Sequence, residues 1–342
     1  LGGRTATSYS RPSRIESLVV PDVGLLSWAP FAFRRALKLA ASDAFDCVIT
    51  SSPPQSTHLI GSALRRRGLP WIAELRDGWT FDAPRRSWPL RSQRWLDERL
   101  ERTVLSTADA VVAVTTPLAE DIRERFGLPT YVITNGFDPE EWSSTDADGS
   151  LLDPTRHSLV YTGRMAVAGR DPTVLIEALR LLTEESPDIA ARLELVFAGP
   201  LTAEEEAIFR NTAFGDQVRT VGALDRRRVL ELQRAADSLL VLAAGTSGRS
   251  VATGKLFEYL AAGKPILVLG DGTEAARIVA EAGAGHAVPA HEPVAVAGAL
   301  RRLVEANLAL KPDVGAIERY SYPRIASSYA AVIEAVSAGR PA

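Results

Sequence analysis

The sequence of 342 residues lacks several features that would each assign a class of protein. It has a single cysteine, Cys47, which excludes an internal disulfide and fits a reducing compartment. No uncharged apolar run approaches the length of a membrane span, and we expect no signal peptide. Because the net charge is only -3, the composition gives no reason to expect nucleic acid as a partner.

Motifs of several enzyme classes are missing as well. No G-x-G-x-x-G follows a first strand and no P-loop occurs, which argues against NAD as cofactor and against an NTPase. The serines of "SSPP" (51–54) lack a G-x-S-x-G elbow. His58, His157, His286 and His291 do not have the spacing of metal ligands, so we predict no metal site.

Lysine is scarce, since it occurs only at positions 38, 255, 264 and 311. Lys255 lies in "GKLFEYLAAGKPILVLG" (254–270), which predicts a helix, a glycine stop and a strand. Lys255 and Glu258 share one face near the start of that helix, where backbone N–H groups attract anions. Two interpretations stay open from these residues: an i,i+3 ion pair on a half-exposed helix, or a ligand site.

Apolar, β-branched runs alternate with helical patterns, which predicts parallel sheets covered by helices. The first half has four clear strands, at 46–52, 71–75, 110–114 and 131–135, with a short further candidate at 17–20. Residues 137–157 read as a linker. The second half has six strands, at 158–163, 193–199, 217–222, 238–243, 265–270 and 285–289.

The predicted fold is therefore α/β, with two Rossmann-like, doubly wound domains facing a cleft, the first of them incomplete. We expect domains at 1–141 and 142–317. The terminal helix (318–342) should cross back onto the first domain. That helix has an apolar stripe, which comprises Ile325, Tyr329, Val332, Ile333 and Val336.

Ligands of open α/β sheets bind outside the carboxyl ends of the strands, which selects the candidate site residues. Gly163 permits a tight turn after one strand, and Arg164 and Arg170 follow it before a helix that begins near Pro172. Two guanidinium groups beside a helix N-terminus suit a diphosphate, but solvated loop arginines explain them equally well. Gly199 forms a similar turn after the next strand.

Two segments of the first half have alternative interpretations. Arg76 and Asp77 end strand 71–75, where they could serve catalysis or simply hold a turn, and spacing alone favours the turn. The basic segment 85–95 has two tryptophans and fits contact with an anionic membrane surface. Acidic residues that follow shortly after this segment balance its positive charge, so an ordinary amphipathic surface helix is favoured.

Six segments in order resemble glycosyltransferase family 4, of the two-Rossmann GT-B architecture. They are "WIAELRDGW" (71–79), "VITNGFD" (132–138), "YTGR" (161–164), "VFAGP" (196–200), "VGALDRRRVLELQRAAD" (221–237) and "GKLFEYLAAGKPIL" (254–267). The resemblance covers roughly residues 45 to 335. In "RDGW" Gly78 stands where the similar branch has proline.

The resemblance implies a hexosyl- or related glycosyltransferase that moves a sugar, with retention, from a nucleotide-diphosphate sugar to a glycan, lipid-linked or small-molecule acceptor. The implied roles follow position: Arg164, Arg170 and Lys255 at the diphosphate, Glu258 at the ribose, and Ala223, Leu224 and Gly199 near the base. The loop Ser247, Gly248, Arg249 and Ser250 would border the donor sugar. No metal or cofactor is implied, and the implied setting is bacterial cell-envelope polysaccharide biosynthesis in the cytoplasm, at most peripheral to the inner membrane face.

Two departures from the family pattern lead to further expectations. Ser250 stands where the family has the first glutamate of its E-x7-E pattern, which normally contacts the donor sugar. The family's first strand and Gly-rich loop have no counterpart, and residue 1 is Leu. We therefore expect a chain truncated at its N-terminus, with an apolar edge beside strand 46–51 and poor sugar transfer.

Two other functions remain as alternatives. A nucleotide-sugar-binding module without turnover would keep Arg164, Arg170 and Glu258. A sugar-nucleotide epimerase is weaker, because it would need carboxylate acid–base pairs and only Asp77 is evident. The sequence leaves open the sugar, the base, the acceptor and the oligomeric state.

Overall fold

The computed structural model divides the chain into two compact units. One contains the described residues up to Thr134 together with those from Ile325, and the other contains Asn135–Arg324. We call them the four-stranded and the six-stranded unit, after their sheets. The residues described are 18–42, 45–82, 88–165, 172–210, 214–243, 250, 252–306 and 310–338.

In the four-stranded unit all strand pairs are parallel and the order is β1-β2-β3-β4. The strands are β1 (Val48–Ser52), β2 (Trp71–Leu75), β3 (Ala110–Ala113) and β4 (Thr130–Val132). After a 3-10 turn at Val23–Leu25, the helices are α1 (Ala29–Ser42), α2 (Ser56–Arg65), α3 (Arg91–Leu105) and α4 (Thr116–Phe126).

The six-stranded unit has a parallel sheet in the order β10-β9-β8-β5-β6-β7. Its strands are β5 (His157–Thr162), β6 (Leu193–Ala198), β7 (Val218–Gly222), β8 (Ser238–Leu242), β9 (Ile266–Leu269) and β10 (Gly285–Val288). Its helices are α5 (Pro139–Ser143), α6 (Thr173–Glu185), α7 (Pro187–Ala190), α8 (Ala203–Arg210), α9 (Arg226–Ala235), α10 (Gly254–Ala262), α11 (Glu274–Glu281), α12 (Pro293–Val304) and α13 (Val314–Glu318). A 3-10 turn covers Gly215–Gln217.

The central strands are buried on both faces, as continuous apolar runs require. Every residue of β6 and of β8 is buried, and separate apolar clusters cover the two faces of the six-stranded sheet.

Capping residues mark the ends of the helices. The side chain of Asp225 accepts a hydrogen bond from the Arg228 N–H at the start of α9. Gly263 ends α10 with a φ of 69°, in the left-handed region that favours glycine.

The terminal helix α14 (Tyr322–Ser337) packs on the four-stranded sheet. Val332 is buried in a cluster with Ile72, Ala110 and Val112, and the other residues of the predicted stripe pack around it. The hydroxyl of Tyr329 donates a hydrogen bond to Glu74 of β2. Helices α2 to α4 contribute to the apolar cluster on the opposite face of this sheet.

The predicted fold is confirmed: two parallel sheets have the expected strand counts of four and six among the described residues. Strand β1 lies at one edge of its sheet and Ile49 on it is exposed. The prediction of an extra strand at 17–20 is wrong over the residues described, because residues 18–20 form a turn and bends. Pro21 follows them and has no N–H group to donate to a neighbouring strand. None of the helices described is long and apolar enough to span a membrane.

The segment 137–157 is not wholly a linker. Asp138 caps α5 by accepting a hydrogen bond from the Glu140 N–H, with Pro139 at the first helical position. Trp142 of this helix is buried in the core of the six-stranded unit. The units accordingly divide at Asn135, ahead of the boundary expected at 141.

Candidate functional site

Three glycines form turns at the carboxyl ends of neighbouring strands in the six-stranded unit: Gly163, Gly199 and Gly222. Gly163 follows β5 with a φ of 98°, and its N–H donates to the Ala198 carbonyl at 2.7 Å. Gly199 follows β6, and its N–H donates to the Gly222 carbonyl at 2.8 Å. A Cβ on Gly199 would lie 2.3 Å from the Gly163 carbonyl oxygen, so the two turns approach as closely as glycine allows.

Lys255 reaches this edge of the sheet from the first turn of α10. Its Nζ atom lies 3.8 Å from the centre of the Tyr161 ring, and a Cβ on Gly163 would lie 3.0 Å from Nζ. An ammonium group over an aromatic face is held electrostatically. The lysine therefore places a positive charge beside the β5 turn.

Glu258 lies one helical turn further along α10 and is held by residues of α9. Its Oε1 accepts from the guanidinium of Arg226, and its Oε2 accepts from Gln233 Nε2 at 3.1 Å. The carboxylate thus pairs with Arg226, whereas the ion-pair interpretation had assigned Lys255 as its partner. Each carboxylate oxygen has two lone pairs and accepts one of these hydrogen bonds, so Glu258 retains the capacity to accept from hydroxyl groups.

A buried polar chain connects Glu258 to the end of β5. Gln233 is fully buried, and its Nε2 also donates to Thr162 Oγ1 at 2.9 Å. The hydroxyl of Tyr259 accepts from the Thr162 N–H at 2.9 Å, and burial raises the pKa of this tyrosine. These contacts fix the rotamers around Glu258, since buried polar groups must keep their partners.

Arg226 also links α9 to α5. Its Nε and Nη2 donate to the two oxygens of Glu141 at 2.9 and 2.8 Å, a bidentate pair. The hydrogen bond from Arg226 lowers the pKa of Glu141. Its two carboxylate partners raise the pKa of Arg226, so this guanidinium stays charged. Arg226 therefore places α5, which follows the "NGFD" turn, against the helix that carries Glu258.

An open cleft of about 720 Å³ lies beside the turns of β6 and β7, and Gly199 and Ala223 are among its lining residues. Leu224, by contrast, packs on the core of the unit. Arg164 is half-buried, and its carbonyl accepts from the Tyr161 hydroxyl at 2.8 Å. The structure therefore brings Gly163, Lys255 and Gly199 together, with Tyr161 linking Arg164 to them.

The remaining predicted site residues fall into two groups. Ser250 is a half-buried turn residue, while Arg170, Ser247, Gly248 and Arg249 lie outside the described residues. Arg76 and Asp77 are exposed at the carboxyl end of β2 and belong to the four-stranded unit.

The residues around Arg76 and Asp77 are firmly anchored within that unit. Trp79 is fully buried and its Nε1 donates to Asp97 at 2.8 Å. A Cβ on Gly78 would lie 1.8 Å from the Phe81 carbonyl oxygen, so glycine is required where the similar sequences have proline. Among the described residues, no group of three or more His, Cys, Asp or Glu side chains is placed to hold a metal ion.

Sequence reasoning missed Glu141, Arg226 and Gln233. A signal was available for two of them: Arg226 and Gln233 are seven residues apart on one helix, so they share a face. Which element that face contacts depends on the packing of α9 against α10, and no local pattern carries that information.

The fold is that of a two-unit α/β protein with parallel sheets, and the glycine turns lie at the carboxyl ends of its strands. Two family models match the chain: "Glycosyl transferase 4-like domain" over residues 6–136 and "Glycosyl transferases group 1" over residues 156–306. Together they cover most of its length. The chain belongs to the family-4-like glycosyltransferases of the GT-B architecture. Among curated proteins, no sequence matches significantly.

Solved structures of glycosyltransferases share the fold. Sucrose-phosphate synthase from Thermosynechococcus elongatus is 18% identical with a TM-score of 0.66, over 94% of this chain and 81% of that one. Anabaena HepE in complex with UDP-glucose is 16% identical with a TM-score of 0.67, over 92% and 84%. The lipopolysaccharide outer core galactosyltransferase WaaB is 17% identical with a TM-score of 0.62, over 92% and 81%. At these identities the likeness establishes the fold.

Proposed function

We propose that this protein is a retaining glycosyltransferase that moves a hexosyl or related sugar from a nucleotide-diphosphate sugar to a hydroxylated acceptor. The observation that carries the proposal is the placement of Lys255 and Glu258 on α10 beside the glycine turns of β5 and β6. A cation and a carboxylate so placed match the anionic phosphates and the ribose hydroxyls of a nucleoside diphosphate.

In this proposal the six-stranded unit binds the donor. Lys255 and Arg164 contact the diphosphate. We assign the same role to Arg170, and its position in the sequence is the only support for that assignment. Glu258 accepts hydrogen bonds from the ribose hydroxyls. The base lies near Gly199, Ala223 and Leu224, and the loop of Ser247 to Ser250 borders the sugar.

The four-stranded unit, with Arg76 and Asp77, is assigned to the acceptor side. The leaving diphosphate would accept the proton of the acceptor hydroxyl, on the same face of the donor sugar from which the diphosphate departs. Fixed positive charges would stabilise that leaving group, so the proposal assigns no metal ion and no cofactor to the reaction. Rates unchanged by EDTA are the expected result, and transfer that depends on added Mg²⁺ would contradict this part.

The acceptor is proposed to be a glycan, a lipid-linked saccharide or a small hydroxylated molecule, used in the cytoplasm for envelope polysaccharide synthesis. HepE was solved with UDP-glucose, and WaaB is named for galactosyl transfer to lipopolysaccharide. These relatives support a sugar-nucleotide donor and a saccharide acceptor as the first candidates.

A thermal-shift screen of UDP-, GDP- and ADP-sugars tests the proposal, followed by mass spectrometry of products with candidate acceptors. We expect one nucleotide series to raise the melting temperature and its sugar to appear on an acceptor with the anomeric configuration retained. Stabilisation without consumption of donor would favour a binding module instead. No stabilisation by any nucleotide sugar would contradict the proposal.

A further inference from the structure

The open cleft of the six-stranded unit lies at the edge strand β7. It has a volume of about 720 Å³ and is bordered by the turn after β6, by β7 and by helix α8. A row of aromatic rings connects it to Lys255, whose ammonium group lies over the Tyr161 ring. The centres of the Tyr161 and Phe197 rings are 6.1 Å apart, and those of the Phe197 and Phe209 rings are 4.4 Å apart. Phe209 lines the cleft, so the cleft lies at the far end of this row from the proposed phosphate position.

The lining of this cleft is mostly apolar. Pro200, Leu201 and Phe209 are its larger apolar side chains. Among the described lining residues, Glu206 of α8 and Thr220 of β7 are the two with polar side chains, and none is Lys or Arg. Apolar walls with a few polar groups suit a flat heterocycle, whereas phosphates need positive charge or N–H donors. The cleft therefore suits the base of a nucleotide.

The first turn of α8 fixes the backbone of Glu206 at the cleft. Thr202 and Glu205 form a capping box at the start of this helix. The Thr202 N–H donates to Glu205 Oε2 at 2.7 Å, and the Glu205 N–H donates to Thr202 Oγ1 at 3.2 Å. Glu205 is buried, and Phe209 packs in the core one turn further on. Glu206 lies between these two anchored residues and is exposed at the cleft.

Thr220 borders the same cleft from the sheet. It is paired in register with Phe197 of β6, and side chains paired across neighbouring strands lie on the same face of a sheet. The Phe197 ring contacts the Phe209 ring of α8. Thr220 and α8 are therefore on one face of the sheet, with the Thr220 side chain exposed at the cleft.

A carboxylate in a base cleft selects among the bases by their hydrogen-bonding edges. An ionised carboxylate only accepts hydrogen bonds. Guanine presents two donors side by side, N1–H and the 2-amino group, which match the two oxygens of one carboxylate. Uracil presents one N–H between two carbonyl oxygens, and adenine and cytosine each place an amino group beside a ring nitrogen that accepts. In these three bases an accepting atom would lie against the carboxylate and be repelled, which disfavours them.

We propose that the bound nucleotide is guanosine diphosphate, and that Glu206 and Thr220 determine this specificity. Glu206 accepts from the N1–H and the 2-amino group of guanine, and the Thr220 hydroxyl donates to the guanine O6. Pro200 and Leu201 contact the flat ring. The donor is then a GDP-sugar. The inference rests on the proposed function, because it names the base of the donor that this function requires.

Calorimetric titration of GDP, IDP, UDP and ADP into the full chain tests the inference. IDP is GDP without the 2-amino group, so the comparison of these two reports on that group alone. We expect GDP to bind at least about tenfold more tightly than each of the other three nucleotides, the size of one hydrogen bond to a charged group.

Two variants separate the two contacts. Glu206→Ala should bring the affinities for GDP and IDP close to each other, because the partner of the 2-amino group is gone. Thr220→Val should weaken GDP and IDP by the same factor, because both have the O6 oxygen. The matched control is Glu204→Ala, an exposed glutamate of the same turn of α8, which should bind all four nucleotides like the parent. Circular dichroism and the melting temperature verify that each variant is folded.

The outcomes distinguish this inference from the proposed function. UDP or ADP binding as tightly as GDP would overturn the inference and leave the proposed function in place, because a nucleotide would still bind. An unchanged ratio of GDP to IDP affinity in Glu206→Ala would also overturn the inference, since Glu206 would then not read the base. If none of the four nucleotides binds, the proposed function itself is contradicted, and the inference with it.

Discussion

Gly163 and Lys255 are immediate neighbours although they are far apart in sequence. A Cβ atom on Gly163 would lie 3.0 Å from Lys255 Nζ, and Nζ itself lies 3.8 Å from the centre of the Tyr161 ring. The glycine turn after β5 thus leaves room for the ammonium group at the carboxyl edge of the sheet. The proposed diphosphate position depends on this contact.

Replacing Gly163 with alanine should therefore weaken both the fold and donor binding. A φ of 98° is strained for any residue with a Cβ, at a cost of about 1–3 kcal/mol, and the new methyl group crowds Lys255. Chemical denaturation measures the first effect and nucleotide titration the second. Gly149→Ala is the matched control, because a Cβ there would meet only Ala235 at 3.9 Å and φ is ordinary. Equal stability of the two variants would contradict the strain argument.

Glu258→Gln should keep the fold and lose preference for ribose. A carboxylate accepts hydrogen bonds on both oxygens, whereas an amide has one accepting oxygen, so the hydroxyl pair of ribose is matched less well. The measurement is the ratio of dissociation constants for the ribose and deoxyribose forms of the bound nucleotide. Glu305→Gln, on an exposed glutamate after α12, should leave that ratio unchanged. A ratio in Glu258→Gln equal to that of the parent would assign Glu258 a structural role only.

Arg226→Met should raise the pKa of Glu141 towards its ordinary value, because the hydrogen bond from Arg226 is the main cause that lowers it. Since the folded pKa of Glu141 is depressed, the pair stabilises the fold above about pH 4.5 and loses this effect as pH falls through the lowered pKa. The pair is partly exposed, so the effect is about 1 kcal/mol or less.

Carboxyl chemical shifts followed by NMR give the pKa of Glu141 directly, and melting temperatures at pH 7 and pH 3 give its effect on stability. The gap between parent and Arg226→Met should be wider at pH 7. A gap of the same size at both pH values would show that the ion pair contributes nothing.

His58 should make the four-stranded unit less stable in mild acid. Burial lowers its pKa to about 3, and its Nδ1 lies 2.8 Å from Thr50 Oγ1. The unfolded chain binds a proton near pH 6.5 and the folded chain does not, so stability falls as pH drops below 6.5. Between pH 6.5 and 5 the loss should be about 1.5 kcal/mol. In His58→Asn this slope should vanish, and an unchanged slope would assign the titration to another group.

The strands were predictable because central parallel strands are buried on both faces and read as continuous apolar runs. The prediction for β2 matches Trp71–Leu75, and β6 ends one residue short of the prediction, at Ala198. Helix α5 was missed although Asp138 and Pro139 are a helix-start signal, because five residues show no apolar period.

The contacts of the candidate site were less predictable than its position. Strand ends and glycines located the turns at Gly163 and Gly199. The partner of Glu258 could not be read from sequence, because the local pattern offered Lys255 and the packing of α9 supplied Arg226. Helix periodicity fixes which residues share a face, and tertiary packing decides what that face meets.

The central claim is that a nucleoside diphosphate binds beside Lys255. The most direct test is calorimetric titration of the nucleotide selected by the screen into the parent, Lys255→Met and Lys311→Met. The account predicts that Lys255→Met weakens binding by about 1.5–3 kcal/mol, the range for hydrogen bonds to charged groups, while Lys311→Met binds like the parent. Equal affinity of Lys255→Met and the parent would contradict the account.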